Sequence, residues 1–188
     1  MFVAVAGMVS AFTGCRNVHE AGKTQWSYVT NSDNTVWLFN TEDDNTVTLN
    51  SGCWGRDVAI PNNINGLSVT SIGPSAFCTH DNLTGVLIPA TVTNIEDAAF
   101  FCCSKLSSIT IPGSISAIGD WAFSGCNTLT NVYFTGNAPR IGANAFNGAD
   151  EVTVYHLPNT TGWSNSFCGR PTAIWNPQTN ATANAKSK

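Results

Sequence analysis

At 188 residues, 43% of them hydrophobic, the chain is long enough to bury one substantial core and lacks the biased composition of a disordered protein. Charged residues make up only 11%, the formal net charge is −4, and the eight Lys and Arg are scattered, which excludes the basic stripe that nucleic acid demands. The polar surface must therefore come largely from the 21 Asn and 22 Thr.

In chain order, the first element is MFVAVAGMVSAFTG, residues 1–14, an uncharged apolar run too short to span a bilayer and of the right length for an export signal. It is followed at once by Cys15. The stretch FTGC resembles the lipobox of bacterial lipoproteins, with small residues at Thr13 and Gly14 and with Phe12 where Leu is usual. That resemblance implies a lipid on Cys15, the single membrane attachment expected, and a secreted, cell-surface or outer-membrane lipoprotein. The other six cysteines, Cys53, Cys78, Cys102, Cys103, Cys126 and Cys168, are an even number that an oxidising compartment can pair in 15 ways, and the sequence does not choose among them.

Between Thr24 and Asp57 the runs WSYVTN, TVWLFNT and NTVTLN are β-prone and separated by turn formers, predicting a small antiparallel β cap over residues 15–57. From Val58 to Trp175 the text becomes periodic. Leu83, Leu106, Leu129 and Val152 form one column. Val86, Ile109, Val132 and Tyr155 form a second, and Ile88, Ile111, Phe134 and Leu157 a third. Further along come Ile72, Ile95, Ile118 and Ile141, then Phe77, Phe100, Phe123 and Phe146, all at a 23-residue period. After Trp175 the stretch 176–188 has no apolar periodicity and reads as a disordered tail.

The pattern L-x-x-I-x-I-P-x-x-V-x-x-I-G-x-x-A-F resembles the BspA-like leucine-rich repeat family. The physical reading agrees with it. One 23-residue unit cannot bury its own apolar edge, but stacked units lay each column into a continuous row. The fold expected is a β-rich solenoid of about four to five rungs over residues 58–175. Parallel strands are predicted near 85–88, 108–111, 131–134 and 154–157, and a short helical turn around each Ala-Phe pair. The step from Ile60-Pro61 to Ile88-Pro89 is longer than one period, so NNINGLSV carries an insertion, and FCGRPTAIW replaces the usual phrase at the other end, as capping repeats do.

Few residues suggest chemistry. His80-Asp81 has no accompanying nucleophile motif and reads as a turn between repeats. Cys102, Cys103 and Cys126 lack the C-x-x-C pairing of structural zinc. Cys103 and Cys126 share a column, which reads as small apolar packing, with a disulfide between rungs as the rival. Asp97 and Asp120 precede AAF and WAF, where a helix N-cap would stand. The run EDDN from Glu42 to Asn45 lacks the alternating spacing of a calcium loop. Neither a metal nor a cofactor is expected, and no catalytic residue.

An exported solenoid without a catalytic constellation points to a binding module. The family resemblance implies the same, a surface protein that attaches to an extracellular protein or glycan. A structural envelope lipoprotein and, behind it, a surface glycan-active enzyme are the other readings. The binding face expected is the concave side of the strands. Its outward columns, at the fixed period, are Gly85, Ser108, Asn131 and Val154, then Leu87, Thr110, Tyr133 and His156. Candidate contact residues are thus Leu87, Ser108, Thr110, Asn131, Tyr133 and His156, with Trp121 on the convex turn as the other surface to consider.

Overall fold

The structure, a computed structural model, describes residues 27–30, 36–42, 46–51 and 55–177. The apolar leader, Cys15, Cys53, residues 43–45 and residues 178–188 lie outside the described residues.

Strands β1 (Ser27–Thr30), β2 (Val36–Thr41) and β3 (Val47–Ser51) form an antiparallel meander. Alternation in β2 buries Trp37 and Phe39, and β3 buries Val47 and Leu49. Next come β4 (Asp57–Ala59), β5 (Asn63–Ile64) and β6 (Leu67–Ile72). The insertion at the first repeat is the hairpin of β5 and β6. Its turn residues Asn65 and Gly66 both have left-handed φ, 53° and 83°, as a type I′ turn requires, so the Asn-Gly pair sets the hairpin's register. β3 pairs in parallel with β6, which joins the meander directly to the repeats.

The repeats supply β7 (Gly85–Leu87), β8 (Asn94–Ile95), β9 (Ser108–Ile111), β10 (Ala117–Ile118), β11 (Asn131–Phe134), β12 (Arg140–Ile141) and β13 (Thr153–His156). A final hairpin of β14 (Ser166–Phe167) and β15 (Arg170–Ile174) closes the chain, again turning through two left-handed residues, Cys168 and Gly169. Two parallel ladders run the length of the molecule. One passes through β3, β6, β8, β10 and β12, the other through β9, β11, β13 and β15, with β4 beside β7 at the near end.

Between the ladders lies the core predicted from the columns. Ile72, Ile95 and Ile118 are buried in successive rungs, and the phenylalanines stack with ring centroids 5.1, 5.3 and 5.6 Å apart along Phe77, Phe100, Phe123 and Phe146. Burying each such ring contributes about 2–3 kcal/mol.

The helical turn expected around each Ala-Phe pair does not form. The backbone amides of these turns alternate in their partners. Ser75, Phe77 and Thr79 donate to Asp97, Ala99 and Phe101 of the next rung, whereas Ala76 and Cys78 donate back to Gly73 and Ser75. An α-helix would direct every amide along its own axis; here every second one is given to the neighbour. Reaching outward in this way puts Ser75, Thr79, Ala98, Cys102 and Trp121 at φ between 55° and 60°. The N-cap reading of Asp97 and Asp120 falls with the helix. The Asp97 carboxylate accepts from the Asp120 amide at 2.8 Å, and that of Asp120 from the Asn144 amide at 3.2 Å, so both staple one rung to the next. Rungs approach so closely there that a Cβ on Gly119 would lie 2.3 Å from Asp97 Oδ1 and 2.6 Å from Asp97 N.

The fixed period fails at one point. β13 occupies Thr153–His156 and not 154–157, with Asn131 opposite Thr153, Val132 opposite Val154, Tyr133 opposite Tyr155 and Phe134 opposite His156. Leu129 and Val132 are three residues apart, but the equivalent buried pair Val152 and Val154 only two, so this rung has lost one residue. A one-residue slip exchanges the two faces of a strand.

Candidate functional site

The solvent-facing side of the ladder β9, β11, β13, β15 carries the candidate site. Ser108 and Thr110 are exposed on β9, and Asn131 and Tyr133 are half-buried on β11. On β13 the outward residues are Thr153 and Tyr155, and on β15 Pro171 is exposed and Ala173 half-buried. Leu87, one rung before Thr110, is 69% exposed.

Val154 and His156, both expected outside, belong to the inward set. Val154 is fully buried beside Val132. His156 stacks on Trp163, with ring centroids 5.0 Å apart and planes 5° from parallel, and its Nδ1 lies 3.1 Å from the Leu157 carbonyl. Trp163 in turn packs on Phe134 and Phe167, closing the end of the core. His156 is thus a capping residue of the interior, and Tyr155 takes its place on the face.

That exchange produces an aromatic cluster that the fixed period had hidden. Tyr133 and Tyr155 stack at 5.0 Å with planes 22° apart, and Trp175, just past β15, lies 4.8 Å from Tyr133 at 50°. Neither tyrosine hydroxyl has a hydrogen-bond partner among the described residues, and neither do the hydroxyls of Ser108, Thr110 and Thr153. Elsewhere the hydroxyls turn back into the fold. Those of Thr93, Ser116, Thr128, Thr130 and Thr135 all donate to carbonyls of the preceding rung. Outward side chains on a strand stand perpendicular to the ladder and so stay free for a ligand. No charged side chain occupies the outward columns of these four strands. Arg170, at the start of β15, pairs with Asp150 at 2.9 Å and donates to the Phe146 carbonyl at 2.7 Å. Tyr155 was detectable in the sequence, since TVYH repeats NVYF in its two central letters.

The remaining candidates lie off this face. Trp121 is 41% exposed on a turn, not on the ladder. His80 packs edge-on against Phe77 at 5.9 Å. Among the described residues there is no cluster of three or more His, Cys, Asp or Glu able to hold a metal, and no helix is long and apolar enough to cross a membrane. Cys78 is disulfide-bonded. Cys103 and Cys126 are free thiols, so the rung-to-rung disulfide between them is not formed. Both are fully buried, and their Sγ atoms donate to the carbonyls of Phe77 and Phe100, each at 3.1 Å. The adjacent Cys126 thiol, and after it burial, holds Cys103 far above the ordinary thiol range. The same contact draws Cys126 the other way. Both sulfurs are shut away from water, so neither is placed to act as a nucleophile.

A solenoid of short parallel strands with a repeating Leu, Ile and Phe interior defines a leucine-rich repeat protein. The chain belongs to the BspA type leucine rich repeat family, whose profile matches residues 51–169 in six copies. No curated protein matches the chain. Among solved structures, a leucine rich cell surface protein from Faecalibacterium prausnitzii is similar at a TM-score of 0.60 and 24% identity, over 79% of this chain and 43% of that one. A leucine-rich repeat protein from Bacteroides ovatus gives 0.52 and 25%, over 86% and 42%. One from Eubacterium ventriosum gives 0.52 and 22%, over 69% and 32%. The chain therefore spans less than half the length of each of these proteins.

Proposed function

We propose that this protein is a non-catalytic cell-surface adhesion module that engages an extracellular macromolecule through the outward face of β9, β11, β13 and β15. The observation that carries the reading is the cluster of Tyr133, Tyr155 and Trp175 standing on that face beside the hydroxyls of Ser108, Thr110 and Thr153. Rigid aromatic side chains supply contact area at little entropic cost, which is why they dominate recognition surfaces. Membership in a leucine-rich repeat family supports the binding role, and the cell-surface description of the Faecalibacterium protein supports the location. Export through residues 1–14 and attachment by lipid at Cys15 complete the proposal.

The test is adhesion of the purified protein to immobilised extracellular matrix proteins and cell-surface glycans, compared with Tyr133→Ala. Saturable binding that weakens in the variant, with the fold intact, supports the module. If wild type and variant both fail to bind any of these surfaces, the protein serves the envelope structurally and the reading falls.

A further inference from the structure

We infer that the ligand of this face is a linear, uncharged glycan that runs across the strands along the solenoid axis, one sugar per rung. The inference rests on the binding face proposed above and names the chemistry that the face selects.

Charge comes first. Four successive strands present Ser108 and Thr110, Asn131 and Tyr133, Thr153 and Tyr155, then Pro171 and Ala173, without one ionisable group other than the phenols. Nothing there would repay the desolvation of a sulfate, phosphate or carboxylate, so an anionic polymer is disfavoured. A protein partner is disfavoured for a different reason. A protein interface needs a contiguous apolar centre inside a polar rim. Here the outward columns carry one large exposed aliphatic residue, Leu87, at an end of the face, and the aromatic cluster has hydroxyls and an amide beside it on β9, β11 and β13.

Composition and spacing then agree. A pyranose ring has an apolar C–H face and an equatorial fringe of hydroxyls, so it asks for an aromatic surface next to hydroxyl and amide groups. The solvent side of the packed Tyr133, Tyr155 and Trp175 cluster supplies the first, and Ser108, Thr110, Asn131 and Thr153 the second. Because Tyr133 touches both other rings, the cluster is held in place before any ligand arrives, which limits the entropy lost on binding. Parallel rungs repeat at about 4.8 Å. A β-linked hexose in an extended chain advances by a closely similar distance, so successive sugars would meet successive rungs in register, whereas a coiled α-linked chain would drift off.

The experiment is calorimetric titration of the full chain with cello- and chito-oligosaccharides from the dimer to the hexamer. Maltohexaose serves as the coiled control, a heparin hexasaccharide as the charged one, and the matrix proteins of the adhesion assay form a separate arm. Affinity should rise with each sugar up to the tetramer and then level, change little between low and high salt, and exceed that for maltohexaose and heparin. Tyr133→Ala and Tyr155→Ala should each weaken binding about tenfold or more, as loss of a central aromatic contact does. Thr110→Val, which leaves the core untouched, should weaken it by a smaller factor and guards against a folding artefact. Binding independent of length, or favouring heparin, overturns the inference. Matrix-protein binding through Tyr133 with no oligosaccharide binding overturns the glycan assignment and leaves the adhesion face standing. Failure of both arms removes the face as well.

Discussion

Tyr155 stacks on Tyr133 across the β11–β13 pair, with ring centroids 5.0 Å apart and planes 22° from parallel. A cross-strand aromatic pair of this kind contributes about 0.5–1.5 kcal/mol beyond the area it buries. A double-mutant cycle with Tyr133→Ala and Tyr155→Ala should therefore return a coupling of about that size in denaturant unfolding. Additive effects of the two substitutions would show that the rings do not hold one another.

Phe100 lies between Phe77 and Phe123 in the buried stack, at 5.1 and 5.3 Å. Its truncation opens a cavity with a neighbour on both sides, so Phe100→Ala should cost about 3–5 kcal/mol. Phe146 has a phenylalanine of the stack on one side only, Phe123 at 5.6 Å, and its loss should cost less. Midpoints in a guanidinium titration of the two variants give the comparison directly.

Gly119→Ala should destabilise the fold by about 1–3 kcal/mol, the usual cost of forcing extra volume into a packed place. The added methyl meets both Asp97 Oδ1 and the Asp97 backbone nitrogen. Removing the carboxylate in an Asp97→Ala, Gly119→Ala double variant would leave the backbone clash in place and should not restore the melting temperature. Recovery to wild type would mean that only the carboxylate stands in the way.

Folded Cys103 keeps its proton to higher pH than an ordinary thiol near 9.0, because of the adjacent Cys126 thiol and its burial. Below that value both folded and unfolded chains are protonated there, and the stabilising contribution is present in full. Above it the unfolded chain releases the Cys103 proton first, so the contribution of Cys103 to stability falls as pH climbs, by at most about 1.4 kcal/mol per pH unit. Cys103→Ala should flatten that slope between pH 8 and 10.5 in urea unfolding. An unchanged slope would place the alkaline sensitivity elsewhere.

Cys15 should be the first residue of the mature protein and should carry lipid, on the strength of the lipobox-like FTGC. Mass spectrometry of the exported protein decides this. A mature terminus elsewhere with Cys15 unmodified refutes the anchor.

The interior was legible because stacking makes each buried residue answer to its equivalents one period away. Leu83, Leu106 and Leu129, or Phe77, Phe100 and Phe123, occupy equivalent surroundings and so repeat in kind. The turns were misread because Ala-Phe at the end of a short apolar phrase favours a helix locally. Amides donated to the next rung override that preference, and nothing in one repeat alone reports it. The surface was half legible. Thr110 and Tyr133 follow from the strand alternation, but placing their neighbour on β13 required noticing that Val152 and Val154 are closer in sequence than Leu129 and Val132.

The missing residue before β13 has a consequence for how such a surface can change over time. Substitution alters an outward position one side chain at a time, but deletion of a single codon in the loop ahead of a strand exchanges its whole inner and outer alphabets at once. Here that exchange sends a histidine indoors and brings a tyrosine out beside another. A chain built of stacked repeats thus has a mutational step that rewrites one rung of its exterior while the neighbouring rungs keep their frame.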